Sequence, residues 1–291
     1  MEFLFTLLTI IMTAATPLLL AALGETVTER SGVLNLGVEG MMVMGAVAGF
    51  AGASAAGNPW FGIITAILAG AAMALLFGFL TLTLLANQVA TGLALTLLGL
   101  GLSGLIGESY VGQPGLQLPK FHGIDPLVPG ALLLAYGIHR FLFRSKAGLI
   151  IRAVGNSHAS AHALGYNVIA VRYFCVMFGG ACSGLAGGYL SLVYTPQWVE
   201  NMTAGRGWIA LALVVFASWL PYRVALGAYL FGAISILSFV VQAYGFGIPS
   251  QFLSSLPYLA TIFALVLISG NRALTRKNTP AVLGQSFVPD R

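Results

Sequence analysis

Four histidines, eight acidic residues and two cysteines are the side chains best suited to ligate a metal, attack a bond or carry a proton in this chain of 291 residues. His158 and His162 are four apart, which on a helix sets two imidazoles on one face where they could grip a metal. No Cys, Asp or Glu stands near them in sequence to complete a site, and the spacing suits a solvated pair equally well. Cys175 and Cys182 lie seven apart in an apolar run, a helical spacing that reads as packing. The acids are scattered, so no paired carboxylates are available for acid–base work. There is no GxxxxGK[ST] loop to cradle a phosphate, so any nucleotide-driven step would need another chain.

What remains is a handful of polar groups set in apolar surroundings. Asn35 and Glu39 open one apolar run, and Asn87-Gln88-x-x-Thr91 opens another. An ionisable group near membrane depth is costly and by default marks a solute path. Glu39 would serve equally as a polar anchor near the interface, or as a partner for Arg30. Asn87, Gln88 and Thr91 share one helix face, where they could bond a hydroxyl-rich solute or a neighbouring helix.

The elements that hold these groups must be membrane helices. The chain is 58% hydrophobic and 7% charged, with a mean hydropathy of +0.92, far below the roughly 25% charge of a soluble domain. Runs long enough to approach a 30 Å hydrocarbon core occupy about 3–23, 33–52, 60–86, 88–107, 128–143, 169–194, 207–220, 224–245 and 252–270, the fifth being the weakest. The expected fold is therefore an all-α polytopic membrane protein with about 8–10 transmembrane helices, residues 1–270 forming one membrane domain and 271–291 a tail. The thirty-seven glycines lie inside apolar runs and read as close helix packing. The first run has no basic residue before it and no cleavage site after it, so it is expected to be retained.

Basic residues orient the spans. Arg140, Arg144, Lys146, Arg152 and Arg172 cluster in one segment, and Arg272, Arg276, Lys277 and Arg291 lie in the tail. With both regions cytoplasmic, Arg30 and Arg223 fall inside too, and only Lys120 and Arg206 lie outside: eleven of thirteen obey the rule. The N-terminus is then external and the C-terminus internal. The net charge of +5 is a topology signal and implies no nucleic-acid partner.

Residues 140–172 are too polar to cross and too long for a turn. Ala153, Ala161, Ala163 and Leu164 suit a short amphipathic helix stopped at Gly165. Such a helix could offer small side chains to a protein partner or lie on the lipid surface. On the opposite face, 108–127 and 195–207 form longer loops, with Tyr194, Trp198 and Trp208 expected at the membrane interface. Glu200 and Arg206 could meet a delivering protein or pair with each other.

The segment Glu29-Arg-Ser-Gly-Val-Leu-Asn-Leu-Gly-Val-Glu-Gly-Met-Met resembles the signature of permease subunits in bacterial nucleoside and simple-sugar ATP-binding-cassette (ABC) importers. These belong to the larger group that contains the ribose and branched-chain amino-acid permeases. Asn87-Gln-Val-Ala-Thr-Gly-Leu-Ala-Leu and Ala204-Gly-Arg-Gly-Trp-Ile-Ala-Leu-Ala resemble two further motifs, and the likeness runs through nearly the whole chain.

The resemblance implies a transport subunit in the bacterial inner membrane with no ATPase site and no bound cofactor of its own. ATP and Mg would be used by an ABC ATPase subunit. A second, longer permease and an external solute-binding protein would complete the machine. It identifies 144–168 with the cytoplasmic coupling segment, where Arg152, Gly155, Asn156, Ala161, Ala163, Leu164 and Gly165 would face the ATPase. Asn156 stands where relatives carry an acid, His162 where they carry an arginine, and His158 or a neighbour where they carry a proline. Nucleosides or purines come first as substrate, then simple sugars. The solute path would be lined by Asn35, Glu39, Asn87, Gln88 and Thr91, with Glu200 and Arg206 toward the binding protein. The competing class, an ion-coupled transporter or channel, needs intramembrane charge, for which Glu39 alone qualifies.

Overall fold

The computed structural model describes residues 2–121, 123–243, 249–269 and 278–288. His122 and the basic tail residues Arg272, Arg276, Lys277 and Arg291 lie outside the described residues. The described chain is almost wholly helical: α1 (Glu2–Arg30), α2 (Val38–Ala56), α3 (Pro59–Gly78), α4 (Gln88–Gly107), α5 (Leu127–Arg144), α6 (Lys146–Asn156), α7 (His158–Ala163), α8 (Val168–Tyr189), α9 (Arg206–Phe216), α10 (Pro221–Ala243) and α11 (Ser250–Ser269). Among the described residues six helical stretches are long and apolar enough to cross a membrane: Phe5–Arg30, Val38–Ala56, Pro59–Thr83, Gln88–Tyr110, Val168–Tyr194 and Pro221–Gln242. The protein is thus an all-α polytopic membrane protein.

The expected spans are all helices, but two change character. The weak fifth run becomes α5, an amphipathic helix ending in Arg144. The run 207–220 becomes α9, only 11 residues, or about 16 Å at 1.5 Å per residue. That is half a membrane crossing. The polar stretch from 24 also departs from expectation, because Gly24 to Arg30 continue α1 for nearly two more turns. The polar side chains there are buried in protein, where lipid cannot penalise them.

Caps close the helices where the sequence supplies Asn or Ser. Asn58, Asn87, Ser145, Ser157 and Asn167 each accept a bond from a first-turn N–H, satisfying donors otherwise orphaned. Ser157 splits the single expected cytoplasmic helix into α6 and α7. Asp125 does the same for α5, its Oδ1 accepting from Leu127 and Val128 N–H at 3.1 and 3.2 Å, while Oδ2 takes the Tyr189 hydroxyl at 2.8 Å.

Small residues set the centre. Gly184 of α8 sits between Gly45 of α2 and Gly70 of α3; a methyl there would overlap the Ala66 carbonyl and come within 2.9 Å of the Gly70 Cα. Backbones in contact replace the hydrophobic drive that lipid cannot give. Cys175 and Cys182 are free and buried in α8, as packing residues should be. Trp198, expected at the lipid interface, is instead 1% exposed. It packs with Phe50 and Val43 where the 195–205 loop lies against the 108–126 loop, and the Gly115 N–H donates to the Pro196 carbonyl at 3.1 Å.

Gly184→Val is expected to destabilise the helix block by about 1–3 kcal/mol or more, the usual cost of overpacking. Gly130→Ala, with no atom within 4 Å of the added methyl, should be silent. Thermal melts of detergent-solubilised variants, followed by monodisperse elution, separate the two. Equal behaviour would mean the seam is not packed as described.

Candidate functional site

The loop Ser31–Gly37 turns back from the end of α1, so that α2 begins well inside the bundle. A Cβ on Gly40 would lie 2.7 Å from the Leu95 carbonyl, and Leu95 is seven residues into α4, about 10 Å along it. The loop is pinned there by hydrogen bonds. Gln88 is buried and its Oε1 accepts from Leu34 N–H at 2.8 Å, while Asn35 Oδ1 accepts from Gly37 N–H at 3.0 Å. The Thr96 hydroxyl donates to the Leu36 carbonyl at 3.2 Å.

Glu39 occupies the first turn of α2 and is 2% exposed. Its carboxylate crosses to the start of α9. Oε1 accepts from the Thr203 hydroxyl at 2.6 Å and from Gly205 N–H at 2.8 Å, and Oε2 accepts from Gly207 N–H at 2.6 Å. One acid thus serves the positive ends of two helices, its own and α9, at membrane depth. Gly205, at φ +82°, and Ala204, at φ +47°, turn the backbone so that its N–H groups face that carboxylate. Arg30, the alternative partner, is elsewhere: its Nε and Nη2 donate to the Trp219 carbonyl at 3.2 and 3.1 Å.

Beside this junction opens a cavity of about 730 Å³, walled by Glu39, Asn201, Gly205, Trp208, Ile209 and Tyr258 among others. Trp208 and Tyr258 are each nearly half exposed. The other expected path residues divide. Asn35 is buried and bonded within its loop, and its Nδ2 lies 3.5 Å from Met41 Sδ. Gln88 holds the loop, its Nε2 buried without a partner. Asn87 is exposed as the cap of α4, accepting from Ala90 N–H at 3.0 Å, and Thr91 is half-buried. Capping pulls Asn87 outside the helix, so of the three only Gln88 and Thr91, three apart in α4, share a helix face. None of these four walls the cavity alongside Glu39.

Glu200 and Arg206 do not meet. Glu200 is exposed beside Gly104 of α4, and the Arg206 guanidinium lies 5.0 Å over the Tyr194 ring.

At the other end of the bundle, Gly155 of α6 packs directly on the Arg30 carbonyl. Arg152 and Arg30 face the same Phe143 ring, at 5.1 and 5.4 Å. Ala161 is buried, whereas Asn156, Ala163, Leu164 and Gly165 are exposed, Leu164 at 76%. Gly165 has φ +86°, the left-handed helix stop that the sequence suggested. His158 and His162 do not point at a common metal. They bracket Phe287, ring centroids 5.2 and 5.3 Å away.

One polar cluster has no counterpart among the sequence candidates, because composition alone ends the first apolar run at 23. Glu29 and Glu25 are fully buried on one face of α1. The Trp219 indole N–H donates to Glu29 Oε2, and the Glu25 carboxylate is buried beside Asn35. Trp219 and Ser218 hold positive φ, 55° and 52°, so that the indole reaches Glu29 while the Trp219 carbonyl takes Arg30.

Residues 7–271 match the family of permease components of branched-chain amino-acid transport systems. The chain belongs to that permease family. The permease is 40% identical to the putative glucose ABC transporter permease protein TsgC13 of Haloferax volcanii, over 99% of this chain and 98% of that one. It is 32% identical to the guanosine ABC transporter permease protein NupQ of Bacillus subtilis, over 93% and 94% of the two chains. It is 30% identical to the nucleoside ABC transporter permease protein NupC of Lactococcus lactis, over 88% and 90%. No solved structure matches it. The permease is the transport component of an ABC transporter, as its motifs suggested, and family membership implies an ATPase partner.

Two outcomes follow for the permease. Glu39→Ala leaves the Thr203 hydroxyl and two N–H groups without an acceptor, and should cost roughly 2 kcal/mol or more. A melt in detergent checks this, and Glu39→Gln, which keeps one acceptor oxygen, should fall between. An Ala variant as stable as the parent overturns the capping role. For His158, burial first and the Arg172 charge second lower the imidazole below its ordinary range. The native state then binds fewer protons than the unfolded chain, so this contact is fully favourable above about pH 6.5 and weakens as pH falls below it. The protection of residues 278–288 against hydrogen exchange, measured relative to each amide's intrinsic rate at that pH, should fall at low pH, and His158→Gln should flatten that response.

Proposed function

We propose that this permease moves a neutral, ring-bearing hydrophilic solute inward across the cytoplasmic membrane, a nucleoside or purine before a simple sugar. Its N-terminus lies outside and its C-terminus in the cytoplasm, with α6 and α7 on the cytoplasmic side. An ATPase subunit using ATP and Mg docks there, on Arg152, Gly155, Asn156, Ala161, Ala163, Leu164 and Gly165. A second, longer permease subunit closes the path, and an external binding protein delivers solute at the face bearing Glu200 and Arg206. Alternating access would then be a switch between discrete packings of rigid helices.

The observation that carries this reading is the cavity at the Glu39 junction. Half-helix ends at membrane depth are where transporters place their solutes. Here the positive ends are already satisfied by Glu39, so a phosphate or carboxylate solute would find its site occupied and would be repelled. Trp208 and Tyr258 offer flat apolar faces to a base or a sugar ring, a contact of roughly 1–3 kcal/mol per stacked base. The named substrates of the relatives, guanosine, nucleosides and glucose, are uncharged and fit that description.

Cells lacking the permease should lose uptake of labelled guanosine or adenosine, and Trp208→Ala should lower it about tenfold. Unlabelled nucleoside should compete and nucleoside monophosphate should not. Uptake untouched by the deletion rejects the substrate class. For docking, Gly165→Asp should abolish co-purification with the ATPase while the variant still inserts in the membrane. A complex that survives this substitution rejects the docking face.

A further inference from the structure

The segment Asn278–Val288 lies against the cytoplasmic end of the bundle as a strap. Its attachments fall on two different elements. Toward the α6–α7 pair, Val282 N–H donates to the Gly155 carbonyl at 3.1 Å, and Phe287, 7% exposed, sits between the His158 and His162 rings in a small apolar cluster with Val154, Ala161 and Val168. Toward the α1–α2 loop, Gly284 N–H donates to the Gly32 carbonyl at 3.0 Å. The Leu34 Cβ lies 3.8 Å from where a Cβ on Gly284 would stand.

Arg172, at the first turn of α8, joins all three parties. Its Nε donates to the Ser31 carbonyl at 3.3 Å, its Nη1 to the Gln285 carbonyl at 3.0 Å, and its Nη2 lies 3.3 Å from His158 Nδ1. A guanidinium fans several donors in one plane, and here it spends them on the loop, the strap and α7. The loop it grips at Ser31 runs on to Glu39, eight residues later, the acid that walls the solute cavity and caps α9.

We infer that Asn278–Val288 is a transmission element, clamping α6 and α7 to the Ser31–Gly37 loop so that a displacement of α7 reaches Glu39 and the cavity. Phe287 is a positioning residue in this device and touches no solute. Packed elements that share hydrogen bonds move together, because interiors this tight switch between arrangements and do not stretch. Without the strap, α7 would hold the loop only through Arg172, which bridges His158 and the Ser31 carbonyl, and through α6, where Gly155 packs on the Arg30 carbonyl, and part of its motion would be lost. The inference rests on the reading that an ATPase docks on α6 and α7.

The test uses the whole importer in proteoliposomes, with its ATPase, second permease and solute-loaded binding protein. ATP hydrolysis and uptake are measured together. Phe287→Ala should leave co-purification and ATP hydrolysis within about twofold of the parent while solute moved per ATP falls about fivefold or more. Hydrolysis and uptake falling in parallel, or both staying unchanged, overturns the inference, as does loss of the complex, which would make the strap part of the docking face. A second variant separates mechanism from folding: Leu34→Cys with Gly284→Cys brings two Cβ positions to the separation of a disulfide, and because Gly284 has φ +76° the reduced double variant, not the parent, is its reference. Oxidation should cross-link the strap to the loop and leave uptake intact, since the two move as one. Uptake abolished by the cross-link and restored by reductant would show that the strap must detach, and would refute it. A parent complex that never assembles fails the docking reading instead, and is told apart because the parent itself is affected.

Discussion

A single carboxylate holds the starts of two helices together inside the bundle. Glu39 stands in the first turn of α2 and accepts three hydrogen bonds from the start of α9. Remove it and two helix beginnings face each other at membrane depth with unmet donors, in a medium that offers no water to meet them. Because it is there, α9 can be half a crossing long, the backbone can be irregular at 201–205 without a penalty in lipid, and a cavity can open beside the joint. The glycines at 205 and 207 and the threonine at 203 matter for the same reason: they shape the cradle for that acid.

The polar residues of this chain are thus spent mostly on its own backbone. Gln88 and Thr96 fix the loop before α2, Asp125 caps α5 and takes the Tyr189 hydroxyl, and Trp219 serves Glu29 with its indole and Arg30 with its carbonyl. This is what a chain with 7% charged residues can do in lipid. It irons out local irregularities with side chains.

Much of this was legible in the sequence, for reasons that can be named. Apolar runs of membrane length report helices directly, and glycine followed by a new segment reports a stop, as at Gly165. Glu39 stood out because an acid in such surroundings always needs an explanation. What sequence could not supply was which partner satisfied it, since Thr203 and Gly207 lie more than 160 residues away. The first apolar run seemed to stop at 23 because burial by protein and exposure to water look alike in composition. Asn87, Gln88 and Thr91 seemed to share a face only while all three were assumed helical. Trp198 carried the signature of an interfacial aromatic, yet the fold of two outer loops over it was invisible. Residues 271–291 read only as a tail, and nothing in their composition announced Phe287 as a wedge.

The glycine seam along α2, α3 and α8 has a mechanical corollary. Where backbones touch with no side chains between them, there is no compressible layer and no room for one ridge to ride over the next. That slab can tilt only as a single piece. Whatever deformation the transport cycle demands must be taken up at its margins, by the longer side chains that line α9 and α11.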